Sequence, residues 1–528
     1  MTAPPSRECC PDPPRRAREP RPWRLIAAAF AVVVVISYVL IANSEFSRYS
    51  AIATWRSDAA QTADRVRIAV VWRTVNGKRD QSLYLGASLA AAEINGNARE
   101  PFTIVRHDER GARRVRVPLV IEPHYVASGA DEDDTARRIA RDPGVLAVVG
   151  HTSSPGAERA AVAYEYMGLL FFATSATSPP LTEREDFQYV FRTAPNDYAL
   201  ADVVSDAFAR NIAARAGGQR RIAILHSGAP EFVLRPHTTD TIAALEDRGI
   251  QTIYEHTYSW DLRQPELSAF GELRRELFHG VFAPYPWRNY LQRTQDLRAN
   301  LTEAFRRDSP DLPQGALIID DVPGNAWVVI KAVRAVRPDM PLFGEMNLAP
   351  AQRLRGAECR GEYVLGENKA TYLPTGAQWS DPAGLMFLVT AHCPGDPPTE
   401  ALLARMRARY KGQFDESAAL QAYEAVRLLA QAFSSANSAA PNDVATRLVS
   451  GKELVGLEGR RVSFLPNGDI VNKSIFITSY DPFLPRKGMP APRRSPWNSV
   501  SSTSSPPSSS PSSAERESSA SGAISSPR

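Results

Sequence analysis

Four cysteines in 528 residues are too few for a disulfide scaffold. There is no HExxH and no Cys/His cluster at zinc spacing, which removes the usual metal sites. No Gly-rich loop ends in Lys-Ser or Lys-Thr, so the chain is not expected to hydrolyse ATP. Asp131-Glu132-Asp133-Asp134 lacks the glycine and the spacing of a calcium loop and reads as a solvated helix N-terminus. The net charge is only +4 and the Arg residues are interspersed with acids, so no basic stripe points to nucleic acid. An esterase elbow needs Gly-x-Ser-x-Gly, and Gly150-His151-Thr152-Ser153-Ser154 lacks the second glycine. His151 therefore reads as a hydrogen-bonded turn residue rather than a base. These absences describe a non-enzyme with no cofactor and no metal.

What is present begins with one long apolar run. Residues 25–42, LIAAAFAVVVVISYVLIA, carry no charge, have Trp23 and Tyr38 near the ends, and are about the length that crosses a bilayer. Arg15, Arg16, Arg18, Arg21 and Arg24 precede the run and little positive charge follows it. That bias puts the N-terminus (1–24) in the cytoplasm and the rest outside. A cleavable signal peptide is the alternative, but the run is long for one and Ile41-Ala42-Asn43-Ser44 is a poor cleavage site, which favours an uncleaved single-pass anchor. No lipobox cysteine follows. At the other end, residues 488–528 are Ser/Pro-rich and read as a disordered tail. Cys9 and Cys10 lie in the basic tail. Cys359 and Cys393 are either a bridge or two buried thiols.

Between anchor and tail, 43% apolar and 23% charged content across the chain is that of a globular protein. Short β-branched runs at 66–72, 146–149, 169–173, 222–225 and 316–319 are each followed by an amphipathic segment, the alternation of βαβ units on a parallel sheet. Two such sets flank the loop 192–197, and helices at 399–410 and 417–434 suggest a return to the first set. The expected fold is α/β: two Rossmann-like lobes with parallel sheets and a hinge, preceded by one transmembrane helix. The expected limits are 62–196 with 377–455 for lobe 1, and 197–376 with 456–482 for lobe 2. Residues 148–182, VVGHTSSPGAERAAVAYEYMGLLFFATSATSPPLT, read as strand, turn, helix, strand and small-residue turn. Strand ends of a parallel sheet face a cleft, and here they carry Ser153, Ser154, Ser175, Ala176 and Thr177. Hydroxyls and free N–H groups at a helix start suit a carboxylate. Trp72 and Tyr84 read as core residues that could wall the cleft.

The same segment resembles the type 1 periplasmic binding proteins, in particular the leucine/isoleucine/valine-binding family of ABC transporter receptors, and matches without gaps over 150–182. Further similarity runs through LGASLAAAEIN, FRTAPND, RIAILH, VIKAVRAV, ALQAYEAVRLLAQAF and LEGRRVSFLPNGDI, over roughly 66–480. The resemblance implies that Ser154 and Thr177, with the backbone N–H of Ser175, bind an amino-acid carboxylate, and that the partner is an ABC permease. A ligand ammonium would need an acid from the opposite lobe, for which Asp320, Asp321 and Glu345 are the candidates. The departures are Ile121-Glu122-Pro123 where the family has paired Asp residues, Glu231 or Phe232 in place of a pocket Tyr, Asp320-Asp321-Val322 in place of a Gly-rich turn, and an added segment around 281–313. The expected function is capture of an amino acid or similar small carboxylate by a periplasmic or extracellular domain on the cell membrane. The alternative is a ligand sensor or scaffold on the same fold.

Overall fold

A computed structural model describes residues 22–73, 81–109, 111–127, 129–184, 186–215, 220–227, 234–258, 297–302, 305, 312–319, 323–344, 358–366, 369–374, 386–390, 392–410 and 414–480. Asp320, Asp321, Glu345, Glu231, Phe232, Cys9, Cys10 and the Ser/Pro tail lie outside them, as does most of 281–313. Met1–Pro482 forms one unit, and the second unit, Phe483–Arg528, falls outside the described residues.

Two sheets organise that first unit. The first holds β1 (Val66–Arg73), β4 (Leu119–Val126), β5 (Val145–Gly150), β6 (Leu170–Ala173) and β7 (Val190–Arg192) in the order β4-β1-β5-β6-β7, all parallel. Every residue of β5 and β6 is buried, the signature of parallel strands covered on both faces. The second sheet has the order β13-β12-β18-β14-β11-β10-β8-β9. Its parallel part is β8 (Arg221–Ser227), β9 (Gln251–Tyr258), β10 (Gly315–Ile319), β11 (Leu342–Gly344) and β14 (Met386–Thr390). Antiparallel β12 (Glu358–Leu365), β13 (Ala370–Leu373) and β18 (Ser474–Tyr480) complete it. The α/β expectation and all five strand runs are met. Residues 386–390, assigned above to lobe 1, are a strand of the second sheet, because the apolar run MFLVT pairs between β11 and β18. The return to the first lobe falls after Thr390. Cys359, in β12, is bridged to Cys393, just past β14, with 5.7 Å between the Cα atoms.

Helix α1 runs unbroken over Pro22–Thr62, and Ile26, Phe30 and Val32 to Val35 on it are exposed. Among the described residues, no helix is long and apolar enough to cross a membrane. Its last turns belong to the first lobe, which therefore starts well before residue 62. Tyr49 and Ile52 pack on the lobe's core and Ala60 is fully buried. Arg56, also fully buried, donates to the carbonyls of Val145 (2.8 Å), Ala140 (2.5 Å), Asp142 (2.9 Å) and Met167. Val145 opens β5, and the other three carbonyls lie at the end of α3 (Gly129–Ala140) and just past α4 (Ser154–Tyr166), where a cation complements both helix dipoles. Burial lowers the Arg56 pKa from its ordinary value to about 10, and Asp142 opposes that shift.

Among the described residues, three chain crossings join the sheets, at 192–197, 392–397 and 455–474. Arg192, with none of its side chain exposed, reaches Asp469 (2.6 Å), the Ser178 carbonyl (2.6 Å) and Thr182 Oγ1 (2.5 Å). Lys473 pairs with Glu424 at 2.5 Å and donates to the Thr193 carbonyl at 2.8 Å. Glu424 sits on α9 (Glu416–Ser435), which lies against α2 (Ser82–Gly96). The two helices meet so closely that a Cβ on Gly86 would lie 1.9 Å from the Ala419 carbonyl oxygen. Gly86→Ala must push α2 from α9, and we expect it to cost about 1–3 kcal/mol, read as a lower denaturation midpoint at unchanged slope. Unaltered stability would mean the helices do not touch there.

Candidate functional site

The site is built where β5 and β6 end side by side. Gly150 closes β5 at φ +139°, with the Val71 carbonyl oxygen 2.2 Å from where a Cβ would be, so a side chain there would strain the backbone and strike β1. The chain then turns into α4. Ser153 caps it: its extended backbone and its Oγ, accepting from Gly156 N at 3.3 Å, satisfy the first turn, and Pro155 follows where no N–H is needed.

Capping by Ser153 releases Ser154 for another role. Its Oγ accepts from the Thr177 backbone N–H at 3.2 Å, and Ser175 Oγ donates to the His151 carbonyl at 3.3 Å. Ser154, Ser175 and Thr177 are thus brought together across the β5 and β6 ends, each half-buried. A serine hydroxyl that accepts one bond still has a proton to donate. The Thr177 carbonyl in turn accepts from Asp197 N (2.9 Å), so the loop is fixed to the first crossing. The cluster at a helix N-terminus can hold an anion. Asp320, Asp321 and Glu345 lie outside the described residues, so only the first lobe's contribution is visible.

His151 faces the core. It is 1% exposed, its Nε2 lies 3.0 Å from Tyr164 Oη, and Phe171 meets it edge-on at 5.7 Å between ring centres. Burial holds its pKa down at about 3, and pushes the Tyr164 hydroxyl up. This is the hydrogen-bonded turn residue expected, and its Nε2 is taken by tyrosine rather than serine. The acidic run departs from expectation: Glu132 is 1% exposed, not solvated. It turns inward because Arg159 donates to it at 2.9 Å and because Gly156 leaves room for its carboxylate beside the first turn of α4. Burial raises its pKa, with Arg73 and Arg159 opposing. Glu122, at the departure from the family pattern, is bound to Arg67 at 2.5 Å, between β1 and β4, and serves that pairing. Trp72, 5% exposed, stacks on Tyr84 at 5.8 Å between ring centres and meets Tyr125 at 6.4 Å, a packing arrangement.

Sequence reasoning missed Arg56, Arg192, Lys473 and Asp469. Asp469 had a local signal, the turn Asn467-Gly468 before it. A lone Arg in an apolar strand end or helix carries none.

The described elements define the type 1 periplasmic-binding fold, with a hydroxyl cluster at the first lobe's strand ends. No family model matches the sequence, and no curated protein matches it. Solved structures do match. A Desulfitobacterium hafniense ABC transporter substrate-binding protein in complex with Leu is 18% identical, with TM-score 0.53, covering 79% of this chain and 97% of its own. A leucine-binding protein from Thermotoga maritima is 13% identical, with TM-score 0.52 and coverage of 79% and 99%. An ABC transporter substrate-binding protein from Sphaerobacter thermophilus is 15% identical, with TM-score 0.51 and coverage of 77% and 91%. Likeness at these identities concerns the fold.

A buried neutral histidine ties stability to pH. The folded pKa of His151, about 3, lies below the ordinary value of 6.5, so the unfolded chain takes up the proton first as pH falls. The contribution is fully present above about pH 6.5 and is lost toward pH 3, at up to roughly 1.4 kcal/mol per pH unit. Melting followed from pH 7 to pH 4 should show the decline, and His151→Asn should flatten part of it. An equally steep decline in the variant would contradict this assignment.

Proposed function

We propose that the chain is a membrane-anchored, extracytoplasmic solute-binding protein that captures an amino acid or similar small carboxylate between its two lobes, for an ABC transporter. The carrying observation is the placement of Ser154, Ser175 and Thr177, with the Thr177 N–H on Ser154 Oγ, where two parallel strands end beside a helix start. The carboxylate accepts from the Ser154 and Thr177 hydroxyls and from the Ser175 N–H. The ligand's ammonium is met by Asp320, Asp321 or Glu345. Asp320 and Glu345 directly follow β10 and β11, adjacent parallel strands of the second sheet. Structural neighbours that include a substrate-binding protein in complex with Leu and a leucine-binding protein support the ligand class.

Anchoring rests on the uncharged run 25–42 and its Arg-rich N-terminal flank, with the lobes outside the cytoplasm. One observation favours a second use of the same fold as a sensor or scaffold: α1 continues without a break from that run into the first lobe. Genes for a permease and ATPases beside this one would favour transport, whereas a histidine kinase, cyclase or protease gene would favour sensing.

The full chain in detergent should gain thermal stability from at least one member of a panel of amino acids and small carboxylates, by about 2.7 kcal/mol at one hundred times Kd. Ser154→Ala combined with Thr177→Ala should abolish the gain while the chain stays folded, because Ser153 carries the cap. No shift with any panel member would contradict the ligand class.

A further inference from the structure

A domain hung from a membrane by a tether would have a Gly-, Ser- or Pro-rich stretch beyond the apolar run. Residues 43–62, NSEFSRYSAIATWRSDAAQT, contain neither Gly nor Pro and are helical throughout. Their course under the first lobe can be followed contact by contact. Tyr49 stacks on Tyr166 at the end of α4, with 6.4 Å between ring centres. Ala53 lies against Gly168, just before β6. Arg56 takes the Val145 carbonyl, the first residue of β5, and the carbonyls closing α3 and following α4. Beyond Thr62, the Ala63 carbonyl accepts from Arg106 at 2.6 Å, and β1 begins at Val66. The helix therefore passes beneath the strand starts from the β6 side to the β1 side, on the sheet edge opposite Ser154 and Thr177. Six residues of β5 separate the two edges, about 20 Å.

We propose that α1 is a rigid stalk that makes the first lobe a fixed body. On the membrane reading above, on which this inference rests for what the N-terminal half is embedded in, the first lobe is immobile relative to the bilayer. Ligand closure then appears as displacement of the second lobe, which is joined to the first lobe by the three crossings. The partner that fits this output is a protein of the same membrane that reads the second lobe's position. Arg56 is the positioning residue: its buried guanidinium donates to four carbonyls at helix and strand ends and so ties α1 to the lobe.

The test uses the full chain with Cys9→Ser and Cys10→Ser, reconstituted in phosphatidylcholine/phosphatidylglycerol nanodiscs and spin-labelled in pairs. Val35→Cys with Thr54→Cys spans the junction, and Thr54→Cys with Asp134→Cys spans the docking to α3. Electron–electron resonance should give a narrow distribution for the first pair near 28 Å, from about 1.5 Å per helical residue, and a narrow one for the second. A broad distribution in either pair overturns the stalk. Arg56→Ala should broaden the second pair and leave the first narrow. A second pair that stays narrow removes Arg56 from the positioning role, and if that variant does not fold, the two parent distributions decide. Liposome flotation of the same chain separates the premises: failure to float overturns the membrane reading, while the second pair measured in detergent still decides the docking.

Discussion

Arg192 and Lys473 are cations taken out of water at the chain crossings, and the geometry of both lobes hangs on how they are satisfied. Arg192 spends its donors on Asp469, the Ser178 carbonyl and Thr182, so one guanidinium gathers the end of β7, the loop following β6 and the returning chain. Lys473 gathers α9 and the Thr193 carbonyl in the same way. Removing one partner of such a pair leaves a buried charge uncompensated, at about 3–5 kcal/mol. The loop that positions Ser175 and Thr177 is therefore held from the crossings as well as by the hydroxyls of Ser154 and Ser175.

Arg56 repeats the device at the opposite edge of the first sheet. Strand starts and helix ends present carbonyls there, and a long side chain from α1 donates to four of them. The cost of burying its charge shows in its lowered pKa, and the yield is a helix that cannot separate from the lobe without exposing those carbonyls. The first lobe is thus gripped below by α1 and above by the crossings, with the candidate site next to the upper grip.

Much of this was legible in the sequence because its signals are local. The β-branched runs at 66–72, 146–149 and 222–225 are strands because fully covered parallel strands must be apolar along their length. The Ser-Pro-Gly after Gly150-His151 announced a strand-to-helix turn. What was not legible depends on partners far apart in sequence. Glu132 reads as a solvated acid until Arg159 and the bare Gly156 make a berth for it. Residues 386–390 read as the start of a return, because a short apolar run does not say which sheet it joins. The limit near residue 62 came from where β propensity begins, whereas residues 49–60 enter the lobe through one aromatic stack, small alanines and one arginine. Hydroxyl sites announce themselves by being small and clustered, but acids at the strand ends of a second lobe do not say what they face.

Hydrogen–deuterium exchange read amide by amide in the full chain, with and without a saturating mixture of amino acids and small carboxylates, tests whether the hydroxyl cluster at the ends of β5 and β6 receives a ligand. Added protection is expected at the N–H groups of Ser154, Ser175 and Thr177 and along the crossing 192–197, with amide exchange in residues 49–62 of α1 unchanged. Exchange at those amides that is identical with and without the mixture, or protection confined to segments away from the ends of β5 and β6, would contradict it.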